Sequence, residues 1–175
     1  MNKKIITICI LITLAALSRL LPHLPNFSPI AAIALFGGAF FANRIMTFAV
    51  PFVALIISDM FLDRYPMAEM LPVYGSFFIV VLLGFNLQKN KSILRIAGMS
   101  ILSSVLFYLI TNLVFIYPEG SINMMYPHNF TGMIESYTMA IPFFQNTLLG
   151  DLFYSSLLFG AYYLISINIP KLVKE

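Results

Sequence analysis

The chain has 175 residues, of which 60% are hydrophobic and only 10% are charged, and its formal net charge is +3. A soluble domain carries roughly 25% charged residues, so this composition is too apolar to clothe a water-soluble globule and implies lipid as the solvent. The single cysteine, Cys9, excludes an intrachain disulfide and a Cys-cluster metal site, and the small basic excess follows topology and gives no reason to expect a nucleic-acid partner.

The first apolar run spans residues 5–21 and follows Lys3 and Lys4. Two lysines, an apolar core and the small pair Ala15-Ala16 have the look of a secretory signal. No small-x-small cleavage site follows, so the run is read as a retained first helix. The connector LPHLPNF then places two prolines where one helix must stop and the next begin. The second run, 28–42, is short: about 15 residues at about 1.5 Å each reach about 22 Å, against roughly 30 Å of hydrocarbon. Ala34, Gly38 and Ala42 recur in it at every fourth position. Such a stripe lets helices approach closely, and it serves either as a docking face for a membrane partner or as a seam within the bundle.

The third run, 45–62, contains Pro51 and ends on Ser58 and Asp59, with Asp63 just beyond. Asp59 and Asp63 share a helical face. They suit a cation or an acid/base pair; the plainer outcome pairs Asp59 with Arg19 and Asp63 with Arg64. The fourth run covers 71–87. The fifth, 93–116, carries a polar ridge of Ser104, Tyr108, Thr111 and Asn112. The sixth, 141–169, puts Phe144, Leu148, Asp151 and Ser155 on one face. A carboxylate at the centre of a membrane helix costs about 2.5–3.5 kcal/mol, so Asp151 needs a partner or a task. It would bind a coupling ion, a proton or a polar substrate group, or pair with Arg19.

These runs predict an all-α integral membrane six-helix bundle, one transmembrane domain over residues 1–175, with a long loop over 117–140 between helices five and six. Six spans put both termini on one side. Lys3, Lys4, Arg44, Lys89, Lys91, Arg95, Lys171 and Lys174 fall on that side, and only Arg19 and Arg64 on the other. The excess of Lys and Arg makes the terminal side cytoplasmic and turns the long loop outward. That loop interleaves Tyr117, Tyr126, Tyr137 and several methionines with His128, Asn129 and Glu135. Aromatic and methionine side chains wrap ligands adaptably, so a lid is expected. The predicted outer site draws on Arg19, His23, Asn26, Asp59, Tyr74, Asn112, Tyr117, Tyr126, His128, Tyr137, Gln145, Asn146 and Asp151. No nucleophile elbow, phosphate loop, HExxH or dinucleotide motif occurs, and neither histidine has zinc-site spacing. Catalysis, a cofactor and a metal are not expected.

Several segments carry a resemblance: PHLPNFSPIAAIALFGGAFF after Arg19, SDMFLD from Ser58, PVYGSF from Pro72, TNLVFIYP from Thr111, and AIPFFQNTLLGDLFY from Ala140. The chain resembles small six-span bacterial membrane proteins that are themselves similar to the substrate-binding S-components of energy-coupling-factor transporters. The resemblance implies capture of a vitamin or similar micronutrient from outside, a place in the bacterial inner membrane, and a transmembrane coupling subunit with cytoplasmic ATPases as partner. S-components that share such a module commonly have Ala-x-x-x-Ala in helix one, whereas this chain has only adjacent Ala15 and Ala16, which leaves room for a solitary transporter. Some solitary relatives carry cobalamin, in which a cysteine can contact the metal; PVYGSF has no cysteine for that. The competing expectation is a non-transport interaction or assembly subunit that docks through Ala34, Gly38 and Ala42.

Overall fold

The structure is a computed structural model that describes residues 2–62, 67–118 and 126–173, with the backbone alone at 67–69. Among the described residues there are seven α-helices and no strand: α1 (Lys3–Ser18), α2 (Ile30–Phe40), α3 (Arg44–Asp59), α4 (Met67–Phe85), α5 (Ile93–Thr111), α6 (Phe130–Met139) and α7 (Ile141–Asn168). Each of the six apolar runs holds one helix. By length and apolarity, α5 and α7 qualify to cross a membrane, with α2 and residues 70–85 of α4 as shorter apolar helices.

Asparagine starts three of these helices. The Asn2 side chain accepts from Lys4 N at 2.9 Å, Asn43 from Ile45 N at 2.8 Å, and Asn129 from Gly132 N at 2.8 Å. Each satisfies one of the amides that a helix leaves open at its start. The third cap corrects the sequence reading. Residues 130–139, expected within an irregular loop, form α6. The fifth helix also stops earlier than expected, at Thr111 instead of 116. There the Asn112 side chain turns back to donate to Tyr108 O at 2.8 Å, and one 3-10 turn, Val114–Ile116, follows.

The bundle is organised around α2. All residues from Ile30 to Ala39 are buried, and α4, α3, α7, α1 and α5 all pack on it. This explains a helix of 11 residues that is apolar all round: protein, not solvent, meets every face. On one side Phe36 lies against Phe159 and Tyr162, with ring centroids 5.2 and 6.0 Å apart. On another, Gly38 crosses Gly84 of α4. A Cβ placed on Gly38 would lie 2.3 Å from Val81 O and 2.8 Å from the Gly84 Cα. Gly37 likewise makes room for the ring of Pro51. At the end of α2, Gln88 Nε2 donates to Gly38 O at 2.9 Å and closes the C-terminus.

Ala34 and Gly38 therefore do not form a partner face. Both are buried inside the bundle, and only Ala42, beyond the end of α2, is exposed. The four-residue period was real, but it marks a seam against α4.

The chain runs back and forth between two ends. One end holds the α1–α2 connector, the end of α3, the end of α5 and the start of α7. It is tied by Arg19 to Asp59, by Ser136 to Asn112 O and by Asn146 to Pro25 O. The other end holds both described termini and the α2–α3 and α4–α5 turns. It is tied by Thr7 to Leu172 O, and Lys91 Nζ lies 5.0 Å from the Phe40 ring centroid.

Candidate functional site

Three predicted residues from three elements meet at the first end. Arg19 follows the last turn of α1, and its backbone N–H reaches back to Ala16 O. Asp59 closes α3. Tyr74 lies on α4. Arg19 Nη1 pairs with Asp59 Oδ1 and donates to Ser58 Oγ at 2.7 Å. Tyr74 OH donates to Asp59 Oδ2 at 2.7 Å. Both carboxylate oxygens are thus engaged, one by a guanidinium and one by a phenol. The Arg19 and Asp59 side chains are only 19% exposed, so solvent screens the pair weakly. His23 sits beside them, its ring nitrogens 3.1 Å from Arg19 O and 2.9 Å from Leu24 O. It steadies the turn after α1.

This cluster caps an apolar groove of about 310 Å³ between α1 and α3. Cys9, Ile12 and Ala16 line one wall, Ala49, Val53 and Ser58 the other. Ser58 links the two halves of the site, because the residue lines the groove and its Oγ accepts from Arg19. The arrangement suits a ligand with an apolar body and a polar end. Sequence reasoning missed the α1–α3 wall. Cys9 was the available signal: its position faces Ile12 and Ala16 along α1 at steps of three and four.

A second group of predicted residues gathers at the end of α5 and spends its polar atoms on backbone. Tyr108 OH donates to Tyr137 O and Tyr137 OH to Leu109 O, both at 2.6 Å. Ser136 Oγ donates to Asn112 O at 3.0 Å, and Tyr117 OH to Thr111 O at 2.6 Å. These bonds latch α6 onto the tip of α5. Replacing Tyr137 with Phe is expected to cost about 1 kcal/mol, read as faster amide exchange confined to residues 130–139. Burial, then Tyr108, pushes the Tyr137 phenol above its ordinary value. The neutral phenol is the form the latch holds. Its contribution is therefore complete below about pH 10, the ordinary tyrosine range, and is lost as pH rises through the higher value of the docked residue. An ultraviolet phenolate titration of the wild type against Tyr137→Phe checks the sign.

The remaining predicted residues stand apart. Asn26 is exposed in the α1–α2 connector at φ 62°, a left-handed conformation that asparagine tolerates, and serves the turn. Asn146 Nδ2 donates to Pro25 O at 3.0 Å and ties α7 to that turn. Gln145 is exposed and Tyr126 half-buried. The His128 ring lies 6.1 Å from that of Phe115. Asp151 is 2% exposed and lies 2.6 Å from Ser104 Oγ. The expected alternative of an Arg19–Asp151 pair is overturned, since Arg19 is taken by Asp59. The methionines at 124 and 125, together with Asp63, Arg64 and Lys174, lie outside the described residues. Among the described residues no three His, Cys, Asp or Glu side chains come together as a metal site.

The chain matches a family model over residues 1–172 and belongs to that family, a family of unknown function designated DUF6580. No curated protein and no solved structure matches it.

Proposed function

We propose that this protein is a six-span membrane bundle that captures a small amphipathic molecule of the vitamin or micronutrient class from the outer side and takes part in its uptake. One observation carries the reading: the Arg19–Asp59–Tyr74 cluster lies at the head of an apolar groove, joined to it through Ser58. A polar cluster above an apolar slot is the general form of a small-molecule site.

The six-span part rests on surface chemistry. Ile10 and Leu14 on α1, Ile45 and Ile56 on α3, and Phe153, Leu157 and Leu164 on α7 are exposed. These helices are apolar on the faces they bury and on the faces they expose, as lipid requires. The distribution of Lys and Arg puts both termini in the cytoplasm and the groove's polar head outside. The likeness to S-components supports the uptake role and the bacterial inner membrane. A coupling subunit with ATPases stays the proposed partner on that likeness alone. The rival docking role would need a surface other than Ala34 and Gly38, which are buried.

Cys9 makes the reading testable. It is the chain's one thiol and it lines the groove. Protein purified gently from its own membranes is expected to carry a small molecule visible in native mass spectrometry. Stripping that molecule should speed maleimide labelling of Cys9, and adding it back should slow labelling again. The reading fails if only bulk phospholipid co-purifies, or if labelling ignores the bound molecule.

A further inference from the structure

Midway along the contact between α5 and α7, four oxygen-bearing side chains form one polar layer in an otherwise apolar seam. Ser100 and Ser104 lie one turn apart on α5, and Asp151 and Ser155 one turn apart on α7. Across the seam Asp151 Oδ2 is 2.6 Å from Ser104 Oγ, and Ser155 Oγ is 3.3 Å from Ser100 Oγ. None of the four is more than 2% exposed.

One assignment of the hydrogens satisfies both contacts of Ser104 in this layer. Ser104 Oγ touches two oxygens, Ser100 O at 3.2 Å and Asp151 Oδ2 at 2.6 Å. A hydroxyl owns one hydrogen. Serine within a helix commonly donates it to the carbonyl four residues back, which here is Ser100 O. The shorter contact, to Asp151, then needs a hydrogen from the carboxyl itself. Charge leads to the same answer. The elements packed on α7 bring Lys3, Lys4, Cys9 and Arg19 from α1 and its cap, Arg95 and Tyr108 from α5, Glu135 and Tyr137 from α6, and Lys171 from the C-terminal turn; α2 brings no titratable group. On α7 itself the titratable neighbours are Tyr154, Tyr162 and Tyr163. Among the described residues none of these bonds to Asp151, whose one hydrogen-bond partner there is Ser104. Burying an ionised carboxylate without a cation is strongly unfavourable.

We infer that Asp151 is a proton-binding site inside the bundle: the neutral acid donates to Ser104 Oγ, Ser104 donates to Ser100 O, and the α5–α7 seam closes around the loaded proton. The inference goes beyond the uptake reading and does not rest on it: the site holds a proton whichever energy source drives uptake.

Infrared difference spectroscopy of the full chain in lipid tests this without any substrate. At neutral pH the wild type is expected to show a protonated-carboxyl band that shifts in D2O. Asp151→Asn should lose that band, and Ser104→Ala should displace it by removing the acceptor. An amide donates as the neutral acid does, so Asp151→Asn should also keep the wild-type melting point. A band that survives in Asp151→Asn, or that Ser104→Ala leaves unmoved, overturns the inference. A sodium-dependent rise in melting point, present in the wild type and absent in Asp151→Asn, overturns it too and makes the site one for a metal cation. Should Asp151→Asn fail to fold, the Ser104→Ala displacement decides. If the band behaves as expected while no small molecule co-purifies, the proton site stands and the uptake reading falls.

Discussion

Gly38→Ala is expected to destabilise the protein by about 3 kcal/mol, the upper part of the usual range for overpacking, and Gly38→Leu to leave no folded bundle. Two backbones set this cost. The added Cβ would lie 2.3 Å from Val81 O and 2.8 Å from the Gly84 Cα, and the reciprocal Cβ on Gly84 would lie 2.5 Å from Leu35 O. No rotamer relieves a clash with main chain; α4 as a whole must move away from α2. Because five other helices pack on α2, that movement opens the core. At about 2–4 °C per kcal/mol for a chain of this size, Gly38→Ala should melt about 6–12 °C below wild type by circular dichroism in mild detergent. Gly84→Ala should behave alike, and the double variant should cost less than the sum, since both insert into one crossing. Gly98→Ala is the control: a Cβ there meets nothing within 4 Å, and the change should be neutral or stabilise by up to about 1 kcal/mol through helix propensity. A Gly38→Ala variant that melts with wild type would mean that α2 and α4 do not cross at these glycines.

Arg19→Ala is expected to abolish ligand retention and to cost about 2–4 kcal/mol, a little less than for a fully buried pair because both side chains keep 19% of their exposure. Among the described residues, the variant leaves the Asp59 carboxylate with Tyr74 as its one hydrogen-bond donor. It also removes the donor that reaches Ser58 at the head of the groove. Stability and binding can be separated. In Arg19→Met combined with Asp59→Asn no charge is left stranded, so much of the lost stability should return. Retention of the small molecule should not return, because the polar head of the site is gone. Thermal melting and native mass spectrometry on the wild type and the two variants read the two quantities independently. Ligand held equally by the double variant and the wild type would detach the cluster from binding and leave it a brace between α1, α3 and α4.

Much of the architecture was legible before any fold was known. Composition called for an apolar surface, and the length of the apolar runs called for helices. The six runs located six helices, and Asn2 and Asn43 cap the starts of two of them, α1 and α3. The α6 helix was missed because its polar Tyr- and Met-rich segment has no apolar period; its cap, Asn129, was present but was weighed as loop. The ridge on α5 and the acid on α7 were seen separately, and helical spacing put Ser104 and Asp151 each on a defined face.

What sequence could not decide was which faces meet. Periodicity is a property of one helix; contact belongs to two. The stripe of Ala34 and Gly38 is the same string whether it faces lipid, a partner or α4, and only the fold assigns it to Gly84. Likewise Arg19 had two candidate acids, Asp59 and Asp151, at very different separations in the chain. The end of α3 brings Asp59 beside it, while Asp151 is buried against α5 out of its reach. Hydropathy alone fixed how much of this protein avoids water. The tertiary structure decided which apolar helix is the hub and which walls form the groove, because those depend on packing between segments far apart in sequence, where volume and backbone clearance, not composition, set the outcome.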